Sequence, residues 1–104
     1  MRERLPNRRP TDGISFVHDG QNYTAHVGPY PDGRIAEIFV SGQKVGTAID
    51  TGAREASTIL SIALQWGAEF ESIRRALPRD SQGKATGPIG AIMDLLAKDS
   101  EVAA

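Results

Sequence analysis

The spacing of apolar side chains changes once along this chain, at the stretch "GQKVGTAID" (residues 42–50), and that change limits the folds open to it. Before it lie three short β-type runs, "ISFVH" (14–18), "NYTAHV" (22–27) and "RIAEIFV" (34–40). After it, Ile49, Ala53, Ala56, Leu60 and Ala63 recur at spacings of four and three, with Ile59, Ile62 and Trp66 widening the stripe. Strand side chains repeat every two residues and helix side chains every 3.6, so one switch that is never reversed separates strands from helices. The expectation is an α+β domain: a small antiparallel three-stranded sheet followed by one long and two short helices.

Local signals fill in this outline. Asp19-Gly20 favours a type I′ hairpin, which needs two residues tolerant of positive φ. A two-residue loop there pairs His18 with Gln21, Phe16 with Tyr23 and Ile14 with Ala25. Ile14, Phe16, Tyr23, Ala25 and Val27 then share an apolar face, with Ser15, Thr24 and His26 on the other. "GPYPDG" (28–33) is a loop, and the nearly continuous apolarity of 34–40 predicts a central strand or one covered on both sides. The long helix spans Thr47 to Trp66 and closes at Gly67. A shorter one carries Phe70, Ile73 and Leu77 and stops at Pro78. After a polar loop over 79–87, "PIGAIMDLLA" forms the third, with Pro88 in its first turn. Residues 1–13 read as a basic connector or docking arm, 14–97 as one domain and 98–104 as a frayed tail.

Composition removes whole classes of chemistry. The 104 residues include no cysteine, which excludes disulfides, thiolate metal sites and thiol nucleophiles within this chain. A formal net charge of −1 gives no global attraction to nucleic acid or to an anionic membrane. No apolar run reaches the ~18 residues of a membrane span, so a cytoplasmic protein without a membrane partner is expected. Basic charge is concentrated in "MRERLPNRR", where Arg4, Arg8 and Arg9 are candidates for docking or for nucleic-acid contact. Pro6 and Pro10 interrupt this arm and no aromatic residue is interleaved, which favours docking.

Few residues elsewhere bear chemistry. The junction at 42–50 places Gly42, Lys44, Gly46 and Thr47 where the N–H groups of a helix start point outward with partial positive charge. Lys44, Gly46 and Thr47, with Arg54 two turns on, are therefore the candidates for binding an anion or nucleotide. The stretch does not match G-x-x-x-x-G-K-[ST], because the lysine precedes the second glycine. The competing reading is a capping box, with Thr47 as N-cap and Asp50 returning the bond from three residues on. Asp50 would contend with an incoming anion for the same N–H groups, which favours the cap. The register puts His18 and His26 about five residue pairs apart, too far to share a metal, and no metal ligand set is expected. Glu37 needs a partner or water inside its apolar strand. Ser57 and Ser61 read as helix-face or packing residues. Arg54, Arg74, Arg75, Arg79 and Lys84, interspersed with Glu55, Glu69, Glu71 and Asp80, read as a solvated mixed-charge face.

The ordered set "RERLPNRR", "YPDGRIAEIFV", "KVGTAID" and "SIALQWGAEFESI" resembles the C-terminal domain of adenosylcobalamin-dependent (class II) ribonucleotide reductases, the TSCPD domain, over residues 2 to 77. "GPIGAIMDLL" is similar to the ending of small stand-alone relatives. In the reductases this module follows a catalytic barrel that supplies the radical-bearing cysteine, the redox cysteines and the cobalamin site. The resemblance therefore implies a non-catalytic accessory module without a cofactor of its own. Its implied partner is a reductase-like protein or a nucleotide, and the arm corresponds to the connection from the barrel. The family's cysteine-containing signature is missing, which removes the metal role it suggests. Two other readings stand beside this one: a protein-interaction module acting as a homodimer, and a small nucleic-acid-associated or inhibitor protein using its arginines.

Overall fold

The computed structural model describes residues 1–5 and 12–103. Strands β1 (Asp12–His18), β2 (Gln21–Pro29) and β3 (Ile35–Gly42) form one antiparallel sheet in that order. Helices α1 (Ala48–Gln65), α2 (Phe70–Ala76) and α3 (Pro88–Ala103) follow, with 18, 7 and 16 residues. The α+β order is the one the period change predicts. The hairpin register is His18↔Gln21, Phe16↔Tyr23 and Ile14↔Ala25, and both loop residues have positive φ, 51° at Asp19 and 76° at Gly20. Phe16 and Tyr23 stack across it with ring centroids 5.4 Å apart. They join Ala25, Val27, Ile38, Val40, Ala53, Leu60, Leu64, Ile92 and Met93 in the core between sheet and helices.

Strand β3 corrects the expectation of a central strand, because β2 lies in the middle and β3 forms an edge. Its apolar run has two causes. Ala36, Ile38 and Val40 face the core, while Glu37 on the opposite face is 2% exposed and lies over Gly28, its cross-strand partner. An added Cβ on Gly28 would stand 2.6 Å from the Glu37 carboxylate, so glycine here makes room for the buried acid.

The free backbone edge of β3 is hydrogen-bonded by side chains of α1. Ser57 Oγ accepts from Val40 N–H at 2.9 Å, and Ser61 Oγ accepts from Ile38 N–H at 3.0 Å while donating to Ile38 O at 2.9 Å. Gln65 Nε2 donates to Ala36 O at 3.3 Å, and Asp50 Oδ1 accepts from Gly42 N–H at 2.9 Å. These polar side chains are all buried. Among the described residues no buried side-chain polar atom lacks a hydrogen-bond partner.

This ladder rotates α1 away from the orientation its apolar stripe suggests. Ala53, Leu60 and Leu64 are buried beside the polar ladder, whereas Ile49, Ala56, Ile59, Ile62 and Trp66 are exposed. Burial of the serines, glutamine and aspartate against β3 turns those apolar residues outward. The helix ends as predicted: Gly67, at φ 101°, donates to Leu64 O at 3.1 Å and Ala68 donates to Ala63 O at 3.0 Å, a Schellman closure. Pro88 occupies the first position of α3, which continues to Ala103 through the segment assigned to a tail. No helix among the described residues is long and apolar enough to cross a membrane.

The first five residues lie against the other end of α1. Glu3 N–H donates to Gln65 O and Arg2 Nε to Gln65 Oε1, both at 2.8 Å, and the Tyr30 hydroxyl donates to Glu3 O. Arg34 sits 4.7 Å above the Tyr30 ring and pairs with Glu3 and Asp32. Those ion pairs are largely exposed and contribute little.

Removing either serine hydroxyl leaves buried backbone groups of β3 without a partner. Ser61→Ala and Ser57→Ala should each destabilise the fold by about 1–3 kcal/mol in urea unfolding, against less than about 0.5 kcal/mol for the exposed Thr51→Ala. Equal effects at Thr51 and Ser61 would contradict the ladder.

Candidate functional site

The turn between β3 and α1 is built around Asp50. Thr47 is the N-cap of α1, with extended backbone (φ −76°, ψ 160°), and its Oγ1 accepts from Asp50 N–H at 3.2 Å. The same hydroxyl donates to Lys44 O at 2.9 Å. Gly46, at φ 84°, makes the left-handed bend that brings the chain back over the helix start. The Asp50 carboxylate accepts from Gly42 N–H at 2.9 Å, Gly46 N–H at 3.1 Å and Arg54 Nε at 2.8 Å. An added Cβ on Gly42 would lie 3.1 Å from Asp50 Cα, so close approach of strand and helix explains that glycine.

One half of the expected capping box is present and the other is altered. Asp50 does not return a bond to Thr47 N–H, which is directed at Lys44 O at 3.4 Å. Asp is one methylene shorter than the usual Glu, and the bend at Gly46 swings a different N–H onto the carboxylate. Burial pushes the Asp50 carboxyl up, but the Arg54 guanidinium and the Gly46 and Gly42 N–H groups outweigh it and hold the group below the ordinary carboxylate value.

Gly46, Thr47 and Arg54 are thus gathered around one buried carboxylate. Lys44 is exposed on the turn and contributes its carbonyl. The chain's own aspartate supplies the negative charge at this helix start. Arg4 is exposed, while Arg8 and Arg9 lie outside the described residues.

The other candidates are dispersed. His18 Nε2 lies 3.1 Å from Thr86 O, and His26 is exposed on the outer sheet face opposite Gly13. No group of residues suited to a metal occurs among the described residues. Arg74 and Arg79 converge on Asp94, with contacts of 3.0 and 2.7 Å, and Arg74 also pairs with Glu71 at 2.8 Å. The Arg79 guanidinium holds the Asp94 carboxyl below its ordinary value, against the upward push of burial and with further help from Arg74. These arginines are neutralised within the fold and tie α2 and the loop after it to α3. An open cavity of 630 Å³ beside them is lined by His18, Asp19, Lys84, Asp94 and Lys98 among others, with both signs of charge.

Two features escape a reading of the stripe alone. Ser57, Ser61 and Gln65 recur every four residues between apolar positions, and that interruption was the signal for an edge-binding face. The outward apolar face of α1 opens at its N-terminal half into an apolar groove of 390 Å³ lined by Ile49, Gly52, Ala56, Leu77, Pro78 and Pro88 among others.

About two thirds of the chain is similar to a short part of vitamin B12-dependent ribonucleotide reductases. The protein of that name from Rhodopirellula baltica is 40% identical over 72 residues, 69% of this chain and 7% of that protein. Its counterpart from Agrobacterium fabrum is 34% identical over 70 residues, 67% of this chain and 6% of that protein. The protein from Streptantibioticus cattleyicolor is 33% identical over 73 residues, 69% of this chain and 12% of that protein. The matched region is thus a small fraction of each relative's length. No protein-family model matches the chain, and no solved structure does.

The carboxylates fix how stability follows pH. Asp50 and Asp94 lie below their unfolded values when folded, so the native state binds fewer protons; their contribution is complete above about pH 4 and is lost as pH falls through the folded values. The urea midpoint should hold between about pH 7 and 5 and fall below about pH 4. Asp50→Asn should lower the midpoint at pH 7 and flatten its acid dependence. A midpoint indifferent to pH down to about 2.5 would refute this assignment.

Proposed function

We propose that this chain, related over about two thirds of its length to a short segment of vitamin B12-dependent ribonucleotide reductases, is a non-catalytic accessory module that binds a reductase-like protein. The observation that carries this reading is the use of its polar groups. Asp50, Ser57, Ser61 and Gln65 are buried and bonded to the edge of β3, and Arg74 and Arg79 are tied to Asp94. Groups able to do chemistry hold the fold, while the outward surface of α1 is apolar and suited to contact with protein. A cytoplasmic location accompanies this role.

Nucleotide binding at Lys44, Gly46, Thr47 and Arg54 is the finer alternative, supported by the Gly42 and Gly46 N–H groups and the Arg54 guanidinium at the helix start. A bound phosphate would have to displace Asp50 from Gly42, Gly46 and Arg54.

Calorimetric titration separates the two. The chain should bind a B12-dependent reductase from which the matching segment has been deleted, with a Kd on the order of micromolar, and should give no heat with nucleoside mono-, di- or triphosphates. Nucleotide heat that Lys44→Ala weakens about tenfold would establish the alternative instead. Ribonucleotide reduction by the chain alone with cobalamin and a dithiol would overturn the non-catalytic reading.

A further inference from the structure

The outward face of α1 carries a seam of its own. Ile49, Gly52, Ala56, Ile59, Ala63 and Trp66 follow one another at spacings of three, four, three, four and three, the a/d pattern of a coiled-coil helix. Ile49, Ile59 and Trp66 expose 45%, 69% and 59% of their surface, flanked on the same helix by Ile62 at 40%. Ile49, Ile59, Ile62 and Trp66 together present on the order of 400 Å² of largely apolar surface, within the range of the largest patch on a monomer, and the groove lined by Gly52, Ala56, Leu77, Pro78 and Pro88 extends it toward the ~800 Å² each partner gives a standard interface. Glu55, one turn before Ile59 and on the side toward Ile62, is the charged residue of α1 on this face.

The two ends of the seam are complementary. At its C-terminal end stands Trp66, a large ring projecting into solvent. At its N-terminal end the apolar groove opens beside Gly52, where the absence of a side chain leaves open space. The ends are about 25 Å apart along the helix.

We propose that a second copy of this chain covers this face, with the two α1 helices antiparallel about a two-fold axis passing between Ala56 and Ile59. That axis brings Trp66 of each copy to the groove beside Ile49 and Gly52 of the other. It sets Gly52 against Ala63 and Ala56 against Ile59, so a small residue lies opposite a large one at the centre. Projection and groove occur on the same face of the same helix, which makes an isologous, closed contact. This interface deepens the binding-module reading by naming one partner, and it is tested apart from the reductase.

The full chain contains one tryptophan and no cysteine, which simplifies the experiment. Sedimentation equilibrium from about 1 µM to 1 mM should show a species of twice 11.2 kDa, and Trp66 emission should shift to the blue over the same range. Ile59→Lys should raise the dimer Kd about tenfold or more. Gly52→Leu should do the same while leaving the monomer as stable or more so, because it fills the groove with a better helix former. Mixing Ala56→Cys with Ile59→Cys should give rapid disulfide cross-linking between copies, and Ile49→Cys alone should not. A monomer at every concentration, a dimer indifferent to both Ile59→Lys and Gly52→Leu, or cross-linking through Ile49→Cys alone would overturn the proposal. A chain that stays monomeric yet binds the truncated reductase would overturn this interface and leave the accessory-module reading standing.

Discussion

The hydrogen bonds from α1 to the edge of β3 are the constraint around which the rest of the structure is arranged. A three-stranded sheet has two edges for three strands, and an uncovered edge presents N–H and C=O groups that must find water or another chain. Here Asp50, Ser57, Ser61 and Gln65 meet those groups from a helix lying alongside, in place of a fourth strand. Pairing side chains with backbone requires close approach, which small serines permit and which Gly42 makes possible at the end nearest the junction. The helix cannot roll about its axis without breaking several bonds at once.

That fixed roll also decides which surface the molecule presents. It turns the Ala53–Leu60–Leu64 side inward and Ile49, Ile59 and Trp66 outward, so the apolar arc of α1 serves the core on one side and faces solvent on the other. It also sets Asp50 beneath the bend at Gly46, where the carboxylate closes the helix start with charge from within the chain. The polar groups that the fold buries are therefore engaged within it, while an apolar arc of α1 remains at the surface.

Much of the fold was legible because its signals are local. Asp19-Gly20 set the turn and hence the whole register of β1 with β2, since positive φ at two adjacent residues leaves few alternatives. Gly67 and Pro88 marked a helix end and a helix start for equally local reasons. The candidate site was half legible: Thr47 caps α1 as expected, but the partners of Asp50 depend on Gly46 bending the chain and on Gly42 lying alongside, which no spacing rule contains. The place of β3 was misread because apolar periodicity reports how many faces are covered and says nothing of which edge is paired.

The sequence by itself determined the number, type and order of the elements and the register of the hairpin, because propensity, turn chemistry and periodicity act over a few neighbouring residues. Only the tertiary structure decided which strand became the edge, which side of α1 met it and which apolar residues were left outside. Hydrophobicity alone placed Ile49, Ile59 and Trp66 on the stripe that faces the core. The need to satisfy buried backbone groups of β3 outweighed that preference and put serine, glutamine and aspartate there instead.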